Sequence, residues 1–188
     1  MNLPSMPQAK IHAGQVGAIL EHLTRFRFAR DLANDSSTDP FCESFDVRIR
    51  AGGIDVSPGN LLEVKDSISV EVVIRNKSEQ PVFAFIYNLG PLWQVQDIYH
   101  GIIVMPQGVK RKKLKLKVPI QMKENGRSSC EDIFKVILTS QPTSFDMLEL
   151  PTLGEQSISK KLDRSDQKAG GATEEWASMN FLFRTIIS

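Results

Sequence analysis

At 188 residues, with 41% hydrophobic and 24% charged side chains, the chain has the size and balance of one globular domain; neither a second full domain nor a disordered polymer fits. Its 23 basic and 22 acidic residues leave a formal net charge of +1, so any attraction to nucleic acid or an anionic membrane has to come from a local patch. No apolar run approaches the ~20 residues that a membrane-spanning helix needs.

Residues 1–12 are polar, carry Pro4 and Pro7, and contain no secretory apolar segment, so they are expected to be a disordered N-terminus of a soluble intracellular, cytoplasmic protein. The two cysteines, Cys42 and Cys130, lie far apart and are read as reduced thiols. Over 13–34 the apolar residues Val16, Ile19, Leu20, Leu23, Phe26, Ala29 and Ala33 recur at spacings of three and four, which predicts one amphipathic helix. Arg25, Arg27 and Arg30 interleave with Phe26 and Phe28; the aromatics are expected to dock on a sheet and the arginines to stay in solvent. The turn formers of 34–40, closed by Pro40, stop the helix.

Strand signals dominate from residue 43 to the end. Residues 45–50 alternate, Gly52 and Gly53 break the run, and 67–75 place Ile68, Val70, Val72 and Ile74 on one face. Residues 81–99 read as a β-hairpin turning at 88–91, with Phe83, Phe85 and Tyr87 sharing a face that is assigned to the core. Val82, Trp93, Ile98, Tyr99, Phe134 and Val136 complete the expected core and hairpin.

In 110–122, Leu114, Leu116 and Val118 alternate with Lys113, Lys115 and Lys117, a strand with one wet, basic face. Lysines on an edge strand oppose edge-to-edge pairing. A basic run is also a candidate phosphate patch or nuclear address, formed by Lys110, Arg111, Lys112, Lys113, Lys115 and Lys117. Residues 123–129 read as a polar loop, 131–139 as a strand buried on both sides, and 140–151 as a loop with one helical turn near 144–148. A polar, glycine-ended stretch at about 154–173 is expected to be a mobile loop, and 175–187 a final strand.

Little of this carries chemistry. His12, His22 and His100 lack ligand spacing with either cysteine, so no metal and no cofactor is expected. Gly52-Gly53 and Gly170-Gly171 lack the lysine and helix context of a phosphate-binding loop. Cys130, flanked in sequence by Arg127 and Lys135, matches no nucleophile signature and is read as an ordinary cysteine; Glu131, Asp132, Asp146 and Glu149 are read as solvated acids.

Four stretches, Val82-Phe-Ala-Phe-Ile-Tyr-Asn-Leu, Trp93-Gln-Val-Gln-Asp-Ile-Tyr99, Asp132-Ile-Phe-Lys-Val-Ile-Leu-Thr139 and Pro142-Thr-Ser-Phe-Asp-Met-Leu-Glu-Leu-Pro151, together with helix residues 21–30, resemble the β-sandwich region that follows the peptidase domain in fungal caspase-like, metacaspase-related proteins. That region is itself similar to the DUF4384 module. The resemblance spans roughly 15–187 and departs at His100, which follows Tyr99 where the family has proline. The family's catalytic His and Cys have no counterpart here, so the resemblance implies a non-catalytic accessory domain and carries no peptidase activity.

The expected fold is therefore an all-β, immunoglobulin-like antiparallel sandwich over 43–188, of seven or eight strands, preceded by the helix. The expected function is an interaction or regulatory module for a caspase-like peptidase domain or another protein, with Phe145, Met147 and Leu148 as the partner-facing loop. Binding of nucleic acid or anionic lipid through 110–117 is the alternative, nucleic acid being the less favoured partner overall.

Overall fold

The structure, a computed structural model, describes residues 13–34, 40–155 and 175–187. The expectations for 1–12 and for nearly all of the 154–173 stretch lie outside the described residues. Among the described residues, nine strands follow helix α1 (Ala13–Asp31): β1 (Phe45–Ala51), β2 (Ile54–Val56), β3 (Leu61–Lys65), β4 (Ser69–Asn76), β5 (Val82–Leu89), β6 (Val95–Val104), β7 (Val109–Lys115), β8 (Ser129–Thr139) and β9 (Trp176–Ile186). The strand expected over 110–122 ends at Lys115, and a short helix α2 (Ile120–Glu124) takes its last residues and the start of the expected loop, while a 3-10 turn (Asp146–Leu148) forms where one helical turn was expected.

The strands make two sheets, in the order β2-β1-β4-β7 and β3-β9-β8-β5-β6. The chain is an all-β sandwich preceded by a helix, as the strand periodicity implies. Pairing is antiparallel except between β3 and β9, which run parallel at one edge of the larger sheet. Gly52 (φ +56°) and Gly53 (φ +88°) close the two-residue hairpin between β1 and β2, whose twist requires the left-handed conformation at both positions.

The inter-sheet core takes Val70, Val72 and Ile74 from β4, Ile49 from β1, Val82, Ala84 and Ile86 from β5, and Phe134, Val136 and Leu138 from β8. The hairpin rings Phe85 and Tyr87 are buried as expected, but in a second layer. Phe85 and Tyr87 do not face the second sheet: they belong to a separate apolar layer on the outer side of the larger sheet, with Phe26, Ala29, Ile137 and Leu148, and Phe83 packs half-buried against it. Both faces of β5 are apolar, so alternation defines two faces without saying which one the other sheet covers.

That outer layer is roofed by α1. Phe26 and Ala29 are fully buried, and Phe26 meets Trp93 edge to face at 5.0 Å. The helix does not dock its whole apolar stripe: Val16, Leu20 and Phe28 stay exposed, because the sheet reaches only the face centred on His22, Phe26 and Ala29. His22 Nε2 sits 2.7 Å from the Trp93 carbonyl, tying the helix to the hairpin tip.

The helix C-terminus is held from below. Lys135 Nζ, on β8, donates to the carbonyls of Arg30 (3.1 Å) and Leu32 (2.6 Å) and to Asn180 Oδ1 (3.3 Å). Asn180 Nδ2 and Ser178 Oγ donate to the same two carbonyls, at 2.9 and 2.7 Å. A cation at the carbonyl end of a helix supplies donors that the last turn lacks and complements the helix dipole. Burial nevertheless pulls the ammonium of Lys135 down to about 8 from its ordinary 10.5, with Asp31 opposing the shift.

Candidate binding surface on the four-stranded sheet

The smaller sheet has one buried face and one bare face. Antiparallel register places residues opposite each other on the same side. Asp46 lies opposite Arg75, Arg48 opposite Val73 and Arg50 opposite Glu71 across β1 and β4. Across β4 and β7, Arg75 pairs with Val109, Val73 with Arg111, Glu71 with Lys113 and Ser69 with Lys115. The bare face thus carries Arg48, Arg50, Arg75, Arg111, Lys113 and Lys115 against Asp46, Glu71 and, from β2, Asp55. Lys117, exposed two residues beyond β7, extends it.

Three of these cations have carboxylate partners. Arg50 grips Asp55 with two bonds of 2.8 and 3.3 Å, Arg48 Nε reaches Asp46 at 2.8 Å, and Arg111 stands 4.0 Å from Glu71. Among the described residues, Arg75, Lys113, Lys115 and Lys117 form no ion pair. Since the whole chain is almost neutral, six basic against three acidic residues on one face means that charge is segregated: the remaining residues carry a small excess of acid.

The basic run read from sequence is divided by this geometry. Lys110 and Lys112 lie opposite Ile74 and Val72, whose side chains enter the core, so they belong to the inward side of the edge strand. Lys112 Nζ rests 4.5 Å from the centre of the Tyr99 ring, a cation–π contact that bridges the sheets' edges. Arg111, Lys113 and Lys115 face outward, and β7 is an edge strand, as its lysines imply. The arginines of β1 and β4 form no run in the sequence. Their polar positions in 45–50 and 67–75 are visible in the alternation, but only the strand order β1-β4-β7 brings them beside the lysines.

The loop after β8 is placed differently. Leu148 is buried in the layer under α1, and Phe145 packs edge to face on Phe85 at 5.1 Å, so both are turned inward. Met147 is 60% exposed, and its carbonyl accepts a bond from Arg25 Nη2 at 3.3 Å. The loop is thereby fastened to the helix and offers one exposed apolar side chain.

Cys130 and Asp132 sit on the inward face of β8, away from Lys135. Asp132 is therefore buried rather than solvated. Cys42 is at the surface and Cys130 is buried, with no disulfide between them. Burial first, and Asp132 beside it, push the Cys130 thiol up to about 12, the opposite of what a nucleophile requires. Among the described residues no three His, Cys, Asp or Glu side chains gather into a metal site, and no helix is long and apolar enough to cross a membrane. No protein-family model matches the sequence, and no curated protein matches it.

Proposed function

We propose that the protein is a non-catalytic binding module that docks its four-stranded sheet on an anionic lipid surface. The observation that carries the reading is the segregated basic face, with four cations outside any described ion pair on a nearly neutral chain. A sheet face is broad and shallow, which suits a planar partner. It displays Val73 and the 46%-exposed Val109 but no aromatic ring on which bases would stack, and no described element projects to enter a groove, which weighs against nucleic acid. At about 1 kcal/mol for each basic residue near an anionic surface, Arg75, Lys113, Lys115 and Lys117 together supply about 4 kcal/mol. That is enough for reversible, salt-sensitive association and too little for permanent anchoring.

The accessory role implied by the resemblance to fungal caspase-like proteins fits such a module, which would localise a partner enzyme. The inward packing of Phe145 and Leu148 favours the basic face over the 140–151 loop as the working surface. The test is co-sedimentation with vesicles of phosphatidylcholine alone or mixed with phosphatidylglycerol. Binding is expected only to the mixed vesicles, falling steeply with salt and lost in the double variant Lys113→Glu, Lys115→Glu. Equal binding to neutral vesicles, no binding at low salt, or displacement by an oligonucleotide at equal charge would refute it.

A further inference from the structure

At one open end of the sandwich, between the β5–β6 hairpin tip, the end of β7 and the inward face of β8, lies a cavity of about 400 Å³, a size that small-molecule sites commonly have. Its walls include Ile98, Leu114, Leu116 and Phe134 with the polar Asn88, Gln96 and Asp132, and the exposed Lys115 and Lys117 also line it.

The polar groups are incompletely served. Asp132 is 4% exposed, yet its carboxylate accepts only one amide bond, from Asn88 Nδ2 at 3.2 Å, and a long thiol contact from Cys130 at 3.9 Å. Among the described residues no cation reaches it. Because Asn88 turns its amide nitrogen to Asp132, its Oδ1 points elsewhere and is buried with no donor. A buried carboxylate short of donors, on the wall of a cavity that is part apolar and part polar, leaves room for an N–H donor from outside the chain.

We propose that this cavity binds an aminoalkyl phosphate, with its ammonium on Asp132, its short aliphatic stem between Leu114, Leu116 and Phe134, and its phosphate at Lys115 and Lys117. The chemistry is shared by a free small molecule and by the headgroup of an aminophospholipid. Recognition of the free molecule does not depend on the basic face acting on membranes, so the two readings succeed or fail separately.

The experiment is calorimetric titration of the full chain with phosphoethanolamine and, as the partner lacking an amine, glycerol phosphate. Phosphoethanolamine is expected to bind about tenfold or more tightly, the worth of a charge-assisted hydrogen bond to a buried acid. Asp132→Asn, of nearly equal shape, is expected to erase that preference; Leu114→Trp, at a half-buried wall position, is expected to weaken phosphoethanolamine through the lost volume. A native chain that binds both compounds equally, or neither, overturns the proposal, as does an unchanged preference in Asp132→Asn. A second arm places phosphatidylethanolamine in vesicles. Stronger native than Asp132→Asn binding there assigns the headgroup as the source, and equal binding in that arm overturns the lipid source while the free-ligand titration decides the site.

Discussion

Strand β8 buries two charged side chains three residues apart, and they are treated in opposite ways. Lys135 faces the helix side and is met by three oxygen acceptors between 2.6 and 3.3 Å. Asp132 faces the sandwich interior and is met by one amide and a distant thiol. Both are almost wholly buried, so burial alone does not separate them; the number of partners does. A buried charge with its hydrogen bonds filled acts as a fastener between elements, whereas one left short of partners lowers stability and is open to an external ligand. The two faces of the larger sheet differ likewise: one is closed by helix and loop, the other is covered by the second sheet and borders the cavity at one end.

If the helix side is a closed structural layer, truncations there should have the largest effects. Phe26→Ala, at a fully buried position against Trp93, is expected to cost about 4 kcal/mol in urea unfolding, and Leu148→Ala about 3 kcal/mol. Met147→Ser, one residue before Leu148 but exposed, should change stability by less than about 0.5 kcal/mol. Equal effects at 147 and 148 would mean that the loop is not packed as described.

Next in size is Lys135→Ala, expected to cost about 3 kcal/mol by emptying a buried site and removing a donor from the last carbonyls of α1. The sign of its pH dependence follows from the direction of the shift. The folded chain holds the Lys135 proton less tightly than the unfolded one, near 8 against 10.5. The associated stability is therefore fully present above 10.5 and lost as pH falls through 8. The gap between wild type and variant should widen as pH climbs across that window. Faster tryptic cleavage at Arg25 and Arg27 in the variant would report release of the helix; unchanged cleavage would remove Lys135 from the role of fastener.

The strands and the helix were legible because their signal is local: Val70, Val72 and Ile74 alternate, Leu114 and Leu116 alternate with lysine, and the apolar run of 133–138 announces two-sided burial. What was not legible depends on which strands become neighbours. The chain alternates between sheets, with β4 leading to β5 across the sandwich and β6 back to β7, so Arg48, Arg75 and Lys113 become neighbours only through the assembled strand order. For the same reason Lys135 and Cys130, neighbours in sequence, part company in the fold: strand parity sends the two to opposite faces. Phe85 and Tyr87 are buried as their alternation implies, but both faces of β5 are apolar, so which set meets the other sheet and which meets the helix depends on what covers each side.

One further change has the opposite sign and tests the other half of the contrast. Burial raises Asp132 to about 6, against an ordinary value of 3.8, with Asn88 and Cys130 only partly offsetting it. The folded chain thus binds this proton more tightly than the unfolded chain does. The stability tied to it is complete below 3.8 and lost as pH rises through 6, so the ionised group is a net cost at neutral pH. Asp132→Asn keeps an oxygen for the Asn88 amide and removes the charge, and should stabilise the protein by about 2 kcal/mol at pH 7. That advantage should shrink as pH falls from about 6 towards 4, because wild-type Asp132 then becomes neutral too. Denaturant midpoints of the two proteins at matched pH measure it directly. An Asp132→Asn variant that is less stable than wild type at neutral pH, or a difference that does not vary with pH, would mean that the carboxylate already has partners enough. The distinction between a satisfied and an unsatisfied charge on β8 would then collapse, and with it the reason to expect a ligand in the cavity.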